Sequence, residues 1–215
     1  RLWNNEGCVL ADEMGLGKTA TVLAAMGVLM GIDGAAALGT ARSFRTIVAC
    51  PAGVAHTWLA EASKWLRPTA RAAARAQAGG APHVTFFADV LKSEAQAFKR
   101  RKRVALAVAA CERGKRGEDA AISEDWDERD DGASRFARAP LEAKPVLVIS
   151  YESYRAKADM LNGLHDVGLL VCDEAHRLKG GADVALARAV EASCAPKRLL
   201  VTATPVQNGV DELRA

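Results

Sequence analysis

Long hydrophobic runs are missing from this sequence of 215 residues. A membrane-spanning helix needs roughly 20 consecutive apolar residues, and no run approaches that length. The first residues, Arg1-Leu2-Trp3, do not resemble the start of a signal peptide, and they include no initiator Met. We therefore expect no membrane partner, and we expect the sequence to be a piece of a longer chain.

Closely spaced cysteines and a strong net charge are missing as well. The five cysteines stand far apart with no C-x-x-C pair, and three of them, Cys8, Cys50 and Cys172, lie inside apolar runs. This pattern favours buried thiols in a reducing compartment over a zinc site or disulfides. The net charge of +3 is compatible with nucleic-acid binding but does not argue for it.

Short apolar runs alternate with amphipathic stretches along the chain, which is typical of buried parallel strands joined by helices. We expect strands near 7–11, 45–50, 83–87, 146–150, 167–172 and 197–202. Helices are expected over 18–30, 53–66, 90–103, 151–162 and 183–193. We interpret Trp58 and Trp65, on the apolar face of the second helix, as core residues rather than base-stacking ones. The pattern predicts an α/β fold in which helices flank a mostly parallel sheet on both faces.

The segment Ala11-Asp12-Glu13-Met14-Gly15-Leu16-Gly17-Lys18-Thr19 has the composition of a loop that holds a nucleoside triphosphate. Two glycines flanking Leu16 allow a tight turn that directs backbone N–H groups at phosphate oxygens. Lys18 would bring a positive charge to the β and γ phosphates, and the Thr19 hydroxyl would ligate Mg²⁺. Asp12 stands where the strict P-loop pattern has Gly, so a chance match in a surface loop is the alternative. The apolar run before the loop and the helix-like run after it favour the phosphate site.

The segment Val171-Cys172-Asp173-Glu174-Ala175-His176 places two carboxylates at the end of an apolar run, where open α/β sheets bind ligands. Asp173 is suited to hold the Mg²⁺ that Thr19 also contacts. Glu174 is suited to orient and deprotonate a water that attacks the γ-phosphate. His176 lies one short turn further on and is placed to sense that chemistry. A helix N-cap with a first-turn acid is the alternative, and the upstream loop disfavours it.

A third apolar strand, from Arg198, ends in hydroxyl groups at Thr202 and Thr204. These hydroxyls could hydrogen-bond the carboxylates and His176, so that a change at the γ-phosphate moves a neighbouring surface. Without the other two motifs, the segment would indicate only a strand end and a turn.

Residues 99–144 differ in kind from the rest of the chain. A basic block, Lys99 to Arg103, and an acidic block, Glu124 to Asp131, stand among Gly and Ala. Opposed charge blocks with little periodic apolar content predict an insertion that is mobile or only partly folded. We interpret the basic block as a solvated helix end, with phosphate binding or a nuclear address as alternatives.

Taken together, three sequence segments resemble motifs I, II and III of the SWI/SNF-type superfamily-two motor ATPases. They run from Asp12 to Thr19, from Asp173 to Lys179 and from Thr202 to Asn208. Cys50-Pro51 followed by Trp58 resembles motif Ia, and Val148-Ile149-Ser150-Tyr151-Glu152 resembles the motif Ib region. The residues of the later segments are most similar to those of the recombination-repair branch of this family. The resemblance spans nearly the whole chain apart from the charged insertion.

The resemblance implies that residues 1–215 form a RecA-like lobe that binds ATP with Mg²⁺ and moves along double-stranded DNA. Nucleotide binding would come from Asp12, Gly15, Leu16, Gly17, Lys18 and Thr19. Lys18 and Glu174 would be the catalytic groups, with Thr19 and Asp173 on the metal. Coupling of hydrolysis to lobe movement would involve His176, Thr202, Thr204 and Gln207. DNA backbone contacts would come from Pro51, Ala52, Gly53, Ser150 and Tyr151.

The same resemblance implies parts beyond this sequence: an upstream adenine-recognising motif and a second RecA-like lobe with an arginine finger in the same parent chain. It also implies a nuclear location and a recombinase filament or a nucleosome as partner. Because an arginine finger contributes about 10³–10⁵ in rate, we expect this segment alone to be a weak ATPase.

Three other interpretations stay open. One is an RNA-directed D-E-x-H helicase lobe, although its loop does not usually read D-E-M-G-L-G-K-T. Another is a vestigial motor fold that serves as a DNA or protein interaction module, against which the intact Lys18, Thr19, Asp173 and Glu174 argue. The weakest is a small-molecule kinase, which would have no use for the Thr-Ala-Thr-Pro segment.

Overall fold

A computed structural model describes residues 7–31, 43–66, 84–91, 93, 95–112, 131–178 and 184–203. Six strands of this part form one sheet in which every neighbouring pair is parallel, in the order β1-β6-β5-β2-β4-β3. The strands are β1 Cys8–Ala11, β2 Arg45–Cys50, β3 Phe86–Asp89, β4 Val146–Ser150, β5 Val167–Asp173 and β6 Lys197–Thr202. The predicted α/β class with a parallel sheet is confirmed.

Helices cover both faces of the sheet. They are α1 Lys18–Met30, α2 Ala55–Trp65, α3 Ala95–Glu112, α4 Gly132–Arg138, α5 Tyr151–Ala156, α6 Ala158–Asn162 and α7 Val184–Glu191. Short 3₁₀ turns occur at Ala52–Val54, Leu141–Ala143 and Ala175–Leu178. In the described part of the chain, none of these helices is long and apolar enough to cross a membrane.

Two hydrophobic clusters lie on opposite faces of the sheet. Alternate residues of β2 divide between them, with Val48 and Cys50 facing α1 and α2 while Ile47 and Ala49 face α5 and α7. Every residue of β2 is buried, which explains why Ile47 to Cys50 form a continuous apolar run instead of an alternating pattern. The helices on either face hold the carboxyl ends of the strands in a fixed register, and the candidate site lies at those ends.

Most predicted elements appear close to their expected bounds, and three of them differ in extent. Strand β3 begins at Phe86, three residues late, because its register is set by pairing Phe86 with Val146 of β4. The helix expected over 90–103 begins at Ala95 and runs to Glu112, so the basic block lies within the helix and not at its end. The helix expected over 151–162 is interrupted at Lys157.

The two tryptophans of α2 differ in burial. Trp58 is a core residue as predicted, with 2% of its surface exposed. Trp65 is 54% exposed, so its assignment to the core was wrong. Its indole N–H donates to Glu61 one turn earlier, 3.1 Å away. The two cysteines predicted to be buried in β2 and β5, Cys50 and Cys172, are buried free thiols, whereas Cys8 is only half-buried.

Helix α4 lies inside the segment predicted as a charged insertion, and the sequence did not predict it. Its Phe136 is fully buried, and the side chain of Asp131 caps the helix by accepting from the N–H of Ala133. A β-carbon at Gly132 would lie 2.1 Å from the carbonyl oxygen of Ala88, so only glycine allows this approach of α4 to β3. The centre of the insertion, residues 113–130, lies outside the described residues, and its mobility stays a prediction.

Candidate nucleotide-binding site

The loop between β1 and α1 is exposed along its whole length, Asp12 to Gly17. Gly15 and Gly17 have φ angles of 84° and 81°, a left-handed conformation that glycine adopts without steric cost. Gly17 caps α1 without a side-chain bond, and the first turn of α1 contains no acidic residue. The first N–H groups of α1 and the positive end of its dipole therefore remain available to an anion.

Lys18 holds the loop closed over itself. Its ammonium group donates to the carbonyl oxygens of Asp12 and Glu13, each at 2.8 Å. The N–H of Asp12 donates to the carbonyl oxygen of Thr202 at 3.3 Å, which extends the pairing of β1 with β6 into the loop. These contacts keep the predicted phosphate-binding lysine at the mouth of the loop.

Asp173 lies at the same edge of the sheet as this loop. Strand β6 lies between β1 and β5, and its residues Val201 and Thr202 pair with Asp173 and Ala11. Two strand spacings separate the two backbones by about 10 Å. A nucleotide phosphate and a hydrated cation fit between groups at that separation, so the loop and Asp173 can serve one ligand.

The carboxylate of Asp173 is held on both oxygens. Its Oδ2 accepts from the indole Nε1–H of Trp58 at 2.8 Å, and its Oδ1 accepts from the N–H of Glu174 at 3.0 Å. Burial raises the pKa of Asp173 above its ordinary value, although the bond from Trp58 and the charge of Lys18 act in the opposite direction. Within the described residues each oxygen accepts one hydrogen bond and has a second lone pair for a ligand. A divalent cation would favour the ionised form, so the residue fits Mg²⁺.

Glu174, the residue after Asp173, has a strained backbone conformation. Its φ of 53° is rare for a residue with a side chain, and such angles cluster at functional sites. Its Oε2 lies 3.2 Å from Nδ1 of His176, and within the described residues neither atom makes a well-aligned hydrogen bond. The structure thus places the side chains of Glu174 and His176 against each other, with both of these atoms buried.

The two segments predicted to contact DNA lie at adjacent strand ends. After β2, the N–H of Val54 donates to the carbonyl oxygen of Pro51 at 3.0 Å and closes the turn Ala52–Val54. After β4, the buried Ser150 caps α5 by accepting from the N–H of Ser153 at 3.2 Å. The hydroxyl of the buried Tyr151 donates to the carbonyl oxygen of Asp173. Both hydroxyls are thus used inside the protein, and DNA contact at this turn stays a prediction that depends on backbone groups.

Two contacts of the site were missed by sequence reasoning. Trp58 was predicted as a core residue, and Tyr151 as a DNA contact, yet both bond to Asp173. The signal that could have found Trp58 is that a buried indole N–H needs an acceptor, and few acceptors lie among apolar residues. Thr202 is buried at the end of β6. Thr204 and Gln207 lie outside the described residues.

Comparison with known proteins identifies the family of the chain. Residues 1–215 match the family model described as SNF2-related domain. The chain is 30% identical over 210 residues to the DNA repair and recombination protein RAD54 of Saccharomyces cerevisiae, covering 96% of this chain and 18% of the relative. It is also 30% identical over 217 residues to Protein CHROMATIN REMODELING 25 of Arabidopsis thaliana, covering 99% and 18%. For DNA repair protein rhp54 of Schizosaccharomyces pombe the figures are 30% over 206 residues, 96% and 19%. The chain therefore spans about a fifth of the length of these relatives.

Proposed function

Because the chain belongs to the SNF2-related domain family, we propose that it is the first RecA-like lobe of an ATP-dependent translocase on double-stranded DNA. The role fits recombinational repair or chromatin remodelling, with the nucleus as its location and a recombinase filament or a nucleosome as partner. A second RecA-like lobe in the parent chain would complete the motor. The parallel sheet, with a phosphate loop and two carboxylates at one edge, supports this proposal.

The proposed ATP site uses the loop and the end of β5. The N–H groups of the loop and the ammonium group of Lys18 bind the phosphates, and Thr19 and Asp173 hold Mg²⁺, which neutralises phosphate charge when bound. To bind, a phosphate must replace the carbonyl oxygens of Asp12 and Glu13 as the acceptors of Lys18. Glu174 orients the attacking water and accepts its proton, with His176 packed against its Oε2.

One observation carries the DNA part of the proposal: Asp173 is bonded to Tyr151, in one segment expected to meet DNA, and to the helix that directly follows the other. Trp58, in the helix that follows the turn Ala52–Val54, donates to its carboxylate, and Tyr151, after β4, donates to its backbone carbonyl. A shift of either segment on DNA would therefore move the metal-binding carboxylate. This direct connection favours a motor in which duplex DNA stimulates hydrolysis over a nucleotide-binding relic.

The test is ATP hydrolysis by the full-length parent protein with and without duplex DNA. We expect duplex DNA to raise the rate, and we expect Lys18→Ala and Glu174→Gln to abolish the stimulated rate. Glu174→Gln should still bind ATP with Mg²⁺, because the change removes the base and leaves the phosphate contacts intact.

Other outcomes would overturn the proposal in distinct ways. Stimulation by RNA but not by duplex DNA would favour an RNA-directed helicase. Absence of Mg²⁺-dependent ATP binding in the wild-type protein would favour a vestigial motor fold. The isolated 215-residue chain should hydrolyse ATP only weakly, because the proposed arginine finger belongs to the second lobe.

A further inference from the structure

The basic block of the insertion lies on a docked helix. Helix α3 contains five consecutive basic residues, Lys99 to Arg103, and no acidic residue between 95 and 105. Phe98, 3% exposed, belongs to the hydrophobic cluster that also contains Trp58 and Leu59 of α2. The buried phenylalanine thus fixes α3 against α2, while Arg100, Arg101 and Arg103 are exposed. The three arginines therefore lie on the exposed side of a helix whose position is fixed.

This surface lies beside the turn that follows β2. Nη1 of Arg101 is 3.7 Å from the position that a β-carbon on Gly53 would occupy. His56, in the first turn of α2, shows the same proximity, since burial and the charge of Arg101 both lower its pKa. Gly53 itself is exposed and has no side chain to cover its backbone. A guanidinium group and an open backbone turn thus form one continuous surface.

The chemistry of this surface suits a phosphodiester backbone. A guanidinium group presents parallel N–H donors that match two phosphate oxygens, and exposed backbone N–H groups at turns also bind phosphates. Arg100 and Arg103 stand three positions apart, about 4.5 Å along the helix, on neighbouring positions of its surface. The described exposed residues of α3 and of the turn Ala52–Val54 include no aromatic side chain on which unpaired bases would stack, and the exposed Trp65 lies at the other end of α2. Backbone contact with a duplex therefore fits better than capture of single strands.

We propose that Arg100, Arg101 and Arg103 of α3 form an additional binding site for the phosphate backbone of double-stranded DNA, continuous with the turn Ala52–Val54. The site would lengthen the DNA track of the lobe on the side of α2. The proposal rests on the proposed function in taking duplex DNA as the ligand, and it assigns to the charged insertion a role that the three motifs do not provide.

The test compares two double variants of the full-length protein with equal changes of charge. Arg100→Gln with Arg101→Gln removes two charges from the α3 surface. Arg138→Gln with Arg188→Gln removes two exposed charges from α4 and α7, on the opposite face of the sheet. Glutamine is a good helix former, and thermal unfolding of both variants should match the wild type. The readouts are the affinity for a fluorescent DNA duplex at several salt concentrations and the DNA concentration that gives half-maximal ATPase stimulation.

We expect the α3 variant to bind the duplex about tenfold more weakly near 0.1 M salt and to lose about two units of the salt slope. The half-saturating DNA concentration should rise similarly, while the rate at saturating DNA and the ATP affinity stay unchanged. The α4 and α7 variant should differ from wild type by less than twofold. Unchanged or tighter DNA binding by the α3 variant, with wild-type stimulation intact, would overturn this inference alone. Absence of duplex binding by the wild type would overturn the proposed function as well.

Discussion

The loop Asp12 to Gly17 and the end of β5 contribute to the same candidate site, yet their surroundings differ. The loop is exposed throughout, and among the described residues the side chain that holds it, Lys18, donates to the loop's own carbonyl oxygens. Asp173 is instead contacted by Trp58 and Tyr151, two of the largest fully buried side chains described. One region depends on backbone conformation, and the other depends on the packing of two further elements.

The difference follows from what each region binds. Phosphate oxygens are contacted by backbone N–H groups, which a glycine-containing turn supplies without any neighbouring side chain. A metal-binding carboxylate and a general base must be held in a narrow range of orientations, which requires supporting hydrogen bonds from packed residues. We therefore expect substitutions around Asp173 to affect both folding and hydrolysis, and substitutions in the loop to affect nucleotide binding alone.

The largest effect is expected at Trp58. Trp58→Ala should lower the free energy of unfolding by about 3–5 kcal/mol, because it removes a buried aromatic ring from the cluster under α2. Denaturant-induced unfolding without nucleotide measures this loss. Trp65→Ala is the matched control in the same helix, and its effect should be far smaller because that ring is 54% exposed.

A second substitution at Trp58 tests its hydrogen bond to Asp173 separately from the packing of its ring. Trp58→Phe keeps most of the ring but lacks the N–H that donates to Oδ2 of Asp173. We expect it to fold, to bind ATP and to show a lower DNA-stimulated kcat with a higher Mg²⁺ requirement. A Trp58→Phe variant with wild-type turnover and wild-type Mg²⁺ response would mean that the indole bond is only structural.

Asp89 at the end of β3 is a second buried carboxylate that can be compared with Asp173, because it is held by a lysine instead of by aromatic side chains. Lys157 forms ion pairs with Asp89 and Asp131, which joins β3, α4 and the break between α5 and α6. Lys157→Met should lower the free energy of unfolding by about 2 kcal/mol at pH 7, because Asp89 is then buried without a cation. The nucleotide affinity should not change.

The pH dependence of this variant has a definite sign. Burial already raises the pKa of Asp89, and the bond from Lys157 acts against that rise. Without Lys157 the pKa of Asp89 rises further, so the folded state takes up a proton more readily than the unfolded state. The deficit of Lys157→Met relative to wild type should therefore shrink as pH falls from 7 toward 4. A deficit that grows over this range would mean that Asp89 is not the destabilised group.

The strands and the three motifs could be predicted from sequence because each depends on local pattern: continuous apolar runs for the buried strands, and glycine spacing for the loop. Strand β3 shifted because its register is set by β4, over 50 residues away. Helix α4 was missed because its single large apolar residue, Phe136, gives no periodicity in seven residues. The bonds from Trp58 and Tyr151 to Asp173 depend on the order of three strands in the sheet, which no local pattern contains.

The smallest effect on folding is expected at Lys18, the residue whose loss should affect nucleotide binding most. In Lys18→Ala the carbonyl oxygens of Asp12 and Glu13 lose their donor, but both residues are exposed and water replaces it. The free energy of unfolding without nucleotide should therefore stay within about 0.5 kcal/mol of wild type. ATP with Mg²⁺ should raise the unfolding temperature of the wild type and leave that of Lys18→Ala unchanged. Val28→Ala, at an exposed position of α1 outside the loop, is the control that should keep the response to ATP. A loss of more than 1 kcal/mol in Lys18→Ala would mean that the loop is coupled to the core in the way that Asp173 is.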